Sequence, residues 1–379
     1  KFDPHSEERI DFTNRTVNTF ERTSFMRTKP RKITKCPPTI FKVISHVLAH
    51  DVDATEHFIN WLAFIIQKRD RTRTAWVLHG TQGTGKGVLM NKVLMPILGE
   101  NQTVIKRAAE LTEKWTDFVE GKLLVFIDEI QSSAFGNEEA GVVSNLKNFI
   151  TEPTATIRRM NQNSYATNNY ANWIFASNKS EPVSISRDDR RFNVGPRQPT
   201  KISLSDDELD RINQELQDFH DFLFAYLLDE DAAHTPLNSE ARGNMIELSQ
   251  TTSESTAAAL QEGTMQFFID QLPTSDLYKA DQRSLNHVEN YRAVICALID
   301  RSSKTGRCVI LRDELFTIFN YTVGGMSESP ATFSRFLGHK QINIKPVKHG
   351  ERTQRGILVE WADHERFAQF RKDYFQEIK

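Results

Sequence analysis

The chain has 379 residues, of which 26% are charged and 39% hydrophobic, and its formal net charge is −2. This length predicts two or three domains, each large enough to bury a core. Scarce glycine (17) and proline (13), together with 25 phenylalanines, exclude a disordered or collagen-like chain.

The apolar run Leu123–Ile127, near the middle of the chain, is far too short to cross a bilayer, so no membrane span is expected. Three cysteines, Cys36, Cys296 and Cys308, lack metal-ligand spacing and cannot pair evenly, which favours a reducing, cytoplasmic setting. Residue 1 is a lysine and no signal peptide follows, so we expect a piece of a longer protein.

The small net charge conceals segregation along the chain. Residues 1–50 hold ten Lys or Arg against five Asp or Glu, whereas residues 201–262 hold three against fourteen. Residues 331–360 are again basic, with six against two. Local fields follow local charge, so the basic regions can face a polyanion, although ordinary solvated surface explains them equally well.

The first predicted elements alternate between helices and apolar strands. In chain order they are a helix over 54–68 capped by Asp53, a strand over 75–79, a glycine-rich turn, a helix over 86–94, a strand over 122–128, a helix over 138–150, and strands over 154–159 and 173–176. Buried strands separated by helices predict an α/β layer fold with a parallel sheet.

The later elements are mostly helical. They are a helix over 206–228, a polar stretch over 249–259, short helices over 291–301, 312–319 and 330–337, and a hairpin from 342–347 and 357–361. The polar stretch is predicted to be an exposed connection, although its alanines can begin a helix. Three helices and a hairpin predict a winged-helix-like C-terminal domain.

A glycine-rich motif follows the strand 75–79. Residues 80–87 read GTQGTGKG and fit the phosphate-loop pattern through Lys86, with a strand before and a helix after. Backbone N–H groups and the helix N-terminus would cradle phosphates, and Lys86 would reach the β- and γ-phosphates of ATP. The predicted nucleotide contacts are Gly83, Thr84, Gly85, Lys86, Gly87 and Val88. The alternative is an ordinary glycine-rich strand–helix turn.

Gly87 departs from the phosphate-loop pattern, because a Ser or Thr hydroxyl usually holds Mg²⁺ at this position. Either Thr84 or a water replaces the missing ligand, or ATP turnover is slow. The sequence does not decide between them.

Polar residues end the next strands. Asp128, after an apolar run and 42 positions beyond Lys86, is predicted to hold Mg²⁺, and Glu129 to orient and deprotonate the attacking water. Asn178 can contact the γ-phosphate or that water, or can simply be a turn residue. Arg190 and Arg191, in the charged run 187–191, are candidate arginine fingers, with an exposed charge run as the alternative.

The order of these motifs over residues 10–200 resembles superfamily 3 helicases, the AAA+ motors of small DNA viruses, phages and plasmids. The phrase Ala176–Val183, leading to Asp189–Phe192, is especially similar to primase–helicases of the poxvirus type. The resemblance implies an AAA+ P-loop core, ATP and Mg²⁺ between the subunits of a homo-hexameric ring, and single-stranded DNA in its channel. It also implies that Asn178 is a sensor and Arg190 a finger acting in trans, with Arg191 second.

The resemblance also places the hairpin between residues 157 and 173 in the DNA channel. Its candidate DNA contacts are Arg158, Arg159, Asn161, Gln162, Asn163 and Tyr165. The tip is rich in Asn and Gln where family hairpins often carry Lys or His, which weakens its expected grip. In the C-terminal region, Arg335, Lys340, Lys348 and Arg352 are candidate phosphate contacts, with protein docking as the alternative.

The sequence thus predicts four regions: 1–70 basic and helical, 71–200 an ATPase core, 201–285 acidic and helical, and 286–379 winged-helix-like. The leading hypothesis is an ATP-dependent DNA helicase module of a phage-type replication protein, fused to or acting with an upstream primase–polymerase. The alternatives are a nucleotide-gated ring that clamps template DNA and an AAA+ remodeller of proteins.

Overall fold

A computed structural model describes residues 1–112, 115–130, 139–179, 182–183, 185–186, 189–249, 252–272, 282–323, 329–349 and 352–375. The chain divides into two compact units, Lys1–Ser249 and Gln250–Lys379. The finer division into four regions stays a prediction. Within the described residues, no helix combines the length and apolar character that a membrane span requires.

The first unit is built on a parallel sheet. Its strands are β1 (Ile10–Asp11), β2 (Thr16–Val17), β3 (Ala75–His79), β4 (Thr103–Arg107), β5 (Leu124–Asp128), β6 (Thr154–Ile157), β7 (Tyr165–Asn168), β8 (Asn172–Ser177) and β9 (Phe192–Val194). The central sheet has the order β4-β5-β8-β3-β9, while β1–β2 and β6–β7 form antiparallel pairs. The predicted parallel α/β fold is therefore confirmed, and β4 and β9 are additions to it.

Helices surround this sheet. They are α1 (Ser24–Arg27), α2 (Pro38–Val47), α3 (Val52–Lys68), α4 (Lys86–Val88), α5 (Met95–Leu98), α6 (Glu139–Thr151), α7 (Asp206–Ala225), α8 (Glu230–His234) and α9 (Glu240–Ser249). Side chains alternate between the two faces of the strands, so β3 contributes Trp76 to a core shared with α2, α3 and α7. Its Val77 enters a second core with α6 and the β6–β7 hairpin.

Several predicted helix boundaries were wrong, including the end of the helix over 206–228, because α7 ends at Ala225. Two others have a clear local reason. The N-cap of α3 is Asp51, whose carboxylate accepts from the Ala54 N–H at 2.8 Å, and Asp53 lies in the first turn instead. The helix after the glycine-rich loop continues past residue 94, through a π-helical turn (Leu89–Leu94), into α5. A π turn of this kind accommodates Pro96, which cannot donate a backbone hydrogen bond.

The second unit packs helices around a three-stranded antiparallel sheet of order β10-β12-β11. Its elements are α10 (Thr252–Glu262), α11 (Met265–Asp270), α12 (Gln282–Ser302), β10 (Arg307–Leu311), α13 (Arg312–Thr322), α14 (Pro330–His339), β11 (Lys345–His349), β12 (Arg352–Glu360) and α15 (Phe367–Tyr374). The three predicted short helices correspond to α12, α13 and α14, and β10 was missed.

The predicted exposed connection over 249–259 was wrong, and the helical alternative is right. Residues 252–262 form α10, which buries Ala257 and Leu260 in the core of the second unit. The polar residues of this stretch obscured a short apolar stripe.

Candidate functional site

The glycine-rich loop, residues 80–87, leaves the carboxyl end of β3 in the middle of the sheet. Gly83 and Gly85 have φ angles of 86° and 95°, which favour glycine. Among the described residues, no hydrogen-bond partner is found for the backbone N–H groups of residues 82–85. Successive unpartnered N–H groups before a helix form a concave site for an anion.

Lys86 lies inside this loop and is buried. Its Nζ donates to the Gly80 oxygen at 3.2 Å, the Thr81 oxygen at 3.3 Å and Thr84 Oγ1 at 3.0 Å. Burial lowers the pKa of Lys86, and the nearby Asp128 carboxylate opposes that shift. The loop carbonyls thus hold the Lys86 ammonium group close to the N–H groups where an anion would bind.

A segment after β9, residues 197–202, holds the loop in place. The Thr81 N–H donates to the Gln198 oxygen at 2.9 Å, and the Ile202 N–H donates to the Gly83 oxygen at 3.0 Å. A Cβ at position 80 would lie 2.3 Å from the Gln198 oxygen, so this approach requires Gly80. No local sequence pattern marks Gln198, because its pairing with the loop joins distant parts of the chain.

The two predicted carboxylates lie together at the end of β5, and both are exposed. Glu129 adopts a left-handed backbone with φ of 56°, and its N–H donates to Asp128 Oδ1 at 3.0 Å. The chain then returns to the sheet, where the Ile130 N–H donates to the Ala176 oxygen at 2.9 Å. A strained, non-glycine residue at a strand end is typical of a functional site.

Glu129 and Asn178 line one cavity of about 420 Å³, and their catalytic roles stay predictions. Arg107 and Lys179 also line it, and sequence reasoning missed both. Arg107 ends β4, a strand that the sequence did not reveal, so its position at this edge was hidden.

The polar groups around the glycine-rich loop suit a nucleotide phosphate better than they suit a Mg²⁺ ion coordinated only by protein side chains. Gly87 offers no ligand, Thr84 Oγ1 already accepts from Lys86, and Asp128 is the exposed carboxylate beside them. Across the described ranges, no group of three metal-binding side chains is found. The Val88 side chain packs against the core, so any contact it makes with phosphate is through its backbone.

Arg190 and Arg191 lie at the opposite edge of the sheet from Lys86. They precede β9, and the Ala75 N–H at the start of β3 donates to the Arg191 oxygen at 2.8 Å. The five residues of β3 separate the two edges by roughly 16 Å. The structure therefore does not bring these arginines to the loop of their own chain.

Around Arg190 and Arg191 is a cavity of about 500 Å³ that also contains Arg71 and Arg73. Buried Asp189 holds this region, since its Oδ2 lies 3.1 Å from Lys147 Nζ and 3.6 Å from Arg191 Nη1. Arg71 and Arg73 were not among the predicted site residues, although their position directly before β3 indicates that they lie at this edge of the sheet. Arg187, the first residue of the charged run 187–191, lies outside the described residues.

The β6–β7 hairpin presents Arg158, Asn161, Gln162 and Asn163 as exposed residues. Arg159 and Tyr165 instead both contact the Glu120 carboxylate. Arg159 forms an ion pair with the Glu120 carboxylate, and the Tyr165 hydroxyl donates to Glu120 Oε1 at 2.8 Å. The two hairpin residues also contact each other, with the guanidinium 5.9 Å from the ring centre.

In the second unit, Arg335 lies on α14, and Lys348 and Arg352 lie on β11 and β12; all three are exposed. Lys340 follows α14 and pairs with Glu254 at 3.4 Å, so it is not free for another anion.

Comparisons with known proteins find a family of unknown function and a protein of a phage. A family model described as a family of unknown function (DUF5906) matches residues 78–191. The DNA primase-polymerase of Nitratiruptor phage NrS-1 is 30% identical over 258 residues, which cover 67% of this chain and 35% of that protein. The chain thus spans about a third of the length of this curated relative.

Solved structures of the NrS-1 C-terminal region share the fold. The apo structure of residues 305–718 has a TM-score of 0.72 at 25% identity and covers 94% of this chain and 84% of its own. A second apo structure of the same region, called the A form, has a TM-score of 0.70 at 24% identity and the same coverage of both chains. The chain is homologous to the NrS-1 primase-polymerase. Membership of superfamily 3 stays a prediction.

Proposed function

We propose that this chain is the ATP-hydrolysing DNA helicase or translocase module of a phage-type replication protein. In this proposal an AAA+ P-loop core binds ATP and Mg²⁺ at the boundaries between copies of a ring, most simply a hexamer, with single-stranded DNA in the channel. A primase–polymerase, in the same protein or as a partner, would use the DNA. The second unit would be a winged helix that contacts DNA phosphates through Arg335, Lys348 and Arg352.

The observation that carries this proposal is the glycine-rich loop. Its unpartnered N–H groups and the buried Lys86 ammonium lie where a β-phosphate and γ-phosphate would bind. Asp128 would hold the Mg²⁺, which neutralises phosphate charge when bound. Glu129 would orient the attacking water and accept its proton, and Asn178 across the shared cavity would contact the water or the γ-phosphate.

The placement of Arg190 supports hydrolysis between copies. Because it lies an entire strand length from its own loop, it can reach a γ-phosphate only on a second copy. Arg191 is held by Asp189, which makes Arg190 the better finger. A finger supplied in trans is worth roughly 10³–10⁵ in rate.

The test is DNA-stimulated ATP hydrolysis by the wild type, Lys86→Ala and Glu129→Gln. Lys86→Ala is expected to lose nucleotide affinity, while Glu129→Gln is expected to bind ATP and not hydrolyse it. Unchanged turnover in both variants would contradict the proposal.

Gly87 favours a second candidate, a nucleotide-gated ring that clamps template DNA with little unwinding. No hydroxyl is available at this position, and Thr84 is occupied by Lys86. Strand-displacement assays at saturating ATP separate the two functions, because robust unwinding excludes a clamp.

A further inference from the structure

The end of α1 and the connection that follows it are rich in basic residues and contain no acidic residue up to residue 35. Residues 27–35, here called the basic segment, contain five basic residues in nine positions and no acidic residue. These five are Arg27, Lys29, Arg31, Lys32 and Lys35.

The basic segment is held in place although residues 29–37 form neither helix nor strand. Arg31 Nε donates to Asp221 Oδ2 at 2.8 Å and its guanidinium also pairs with Asp218, both on α7. The Asp221 carboxylate is fully buried, so this contact fixes the segment to the body of the unit. Ile33 of this segment and Cys36, which directly follows it, also pack against the core.

Three lysines in this segment share one periodicity. Lys29, Lys32 and Lys35 recur at every third residue and are exposed, while Ile33 and Cys36, each one position later, pack inward. Within the part of the chain that the structure describes, none of the three has an ion-pair or hydrogen-bond partner. They form a row of unneutralised charges on a fixed backbone, unlike Arg31.

We propose that Lys29, Lys32 and Lys35 form a binding track for the phosphate backbone of single-stranded nucleic acid. Lysine ammonium groups on flexible stems suit phosphates without reading sequence. The flanking Thr28, Pro30 and Thr34 are exposed and offer no apolar anchor for a protein partner. The track rests on the proposed function for its DNA partner, but it is separate from the nucleotide site and from the β6–β7 hairpin.

The experiment measures binding of an oligo-dT strand to the full chain over a range of KCl concentrations. In the triple variant Lys29→Gln, Lys32→Gln and Lys35→Gln, affinity at low salt is expected to fall at least about tenfold. The slope of log K against log salt is expected to become shallower by about 2, since each single-strand phosphate contact contributes about 0.7. Because these side chains are exposed, the melting temperature is expected to stay unchanged.

The matched control removes the same charge from scattered exposed positions, through Lys92→Gln, Lys304→Gln and Lys372→Gln. Its slope is expected to stay near that of the wild type. An equal loss in the control, or no loss in the track variant, would overturn the track.

The remaining outcomes separate the track from the proposed function. A track variant that keeps oligo-dT affinity but loses affinity for poly-glutamate would replace nucleic acid with an acidic protein and overturn the proposal. Wild-type protein that fails to bind oligo-dT would overturn the track together with the DNA partner of the proposed function. Normal DNA-stimulated ATP hydrolysis with unchanged DNA affinity in the track variant would overturn the track alone.

Discussion

At the residue scale, Gly87 bears directly on the proposed Mg²⁺ site. A Cβ at Gly87 would find its nearest neighbour, Asn91 Nδ2, at 4.0 Å, so there is open space for a side chain. Gly87 has no steric reason to be glycine, unlike Gly80. Its consequence is chemical, because the loop loses a hydroxyl ligand.

Gly87→Ser is therefore expected to raise steady-state ATP turnover several-fold and to lower the Mg²⁺ concentration that gives half-maximal rate. Serine also favours the helix over glycine by a few tenths of a kcal/mol, so stability does not fall. The measurement is an ATPase assay with Mg²⁺ titration. Gly243→Ser is the control, because Gly243 also lies exposed in a helix with open space around it. No change in Mg²⁺ dependence would show that position 87 does not face the metal.

At the element scale, the β6–β7 hairpin is restrained by a carboxylate outside it. Glu120 binds Arg159 and Tyr165 together, which are two of the six hairpin residues predicted to touch DNA. In the proposed function, a DNA phosphate would have to compete with this carboxylate for the guanidinium.

Glu120→Gln is expected to tighten binding of single-stranded DNA about two- to fivefold, since it removes one partly exposed ion pair. The salt slope is expected to steepen by about 0.7, reflecting one more phosphate contact. Anisotropy titrations measure both quantities, with Glu100→Gln as a control at an exposed carboxylate outside the hairpin. Weaker binding in Glu120→Gln would mean that Glu120 positions the hairpin for DNA.

The elements also show what the sequence can and cannot predict. The strands β3, β5 and β8 are continuous apolar runs, so local pattern sufficed to find them. β9 has three residues and β4 ends in Lys106 and Arg107, so only pairing with neighbouring strands reveals them.

Local sequence likewise predicts some features of the candidate site and not others. The spacing of Lys86, Asp128 and Asn178 predicts their shared edge, because each follows a parallel strand. The pairing of Arg159 with Glu120, 39 positions away, depends on tertiary contacts that no local pattern encodes.

At the scale of the whole molecule, three buried or half-buried histidines make stability depend on pH. Burial lowers the pKa of His57, His79 and His220, all in the first unit, below the ordinary value of 6.5. The unfolded chain then binds protons near pH 6.5 that the folded chain does not. The free energy of unfolding therefore keeps its full value above pH 6.5, as far as these histidines are concerned. It decreases as the pH falls below 6.5.

The free energy of unfolding is expected to fall between pH 6.5 and 5.5 by up to about 1 kcal/mol for each histidine. Urea unfolding followed by a probe in the first unit measures this fall. His79→Gln is expected to make the fall shallower, whereas His5→Gln, at an exposed histidine, is expected to leave it unchanged. A stability that stays flat over this range would contradict the neutral burial of these side chains.

In the proposed function ATP is hydrolysed between copies, with Lys86 from one copy and Arg190 from the next. Lys86→Ala and Arg190→Ala proteins are each expected to be inactive alone, and Arg190→Ala is expected to keep its nucleotide affinity. Mixing them in equal amounts is expected to restore about a quarter of wild-type turnover, because about a quarter of the boundaries in a random ring combine both intact residues. A mixture as inactive as its components, formed from wild-type-sized assemblies, would contradict the account.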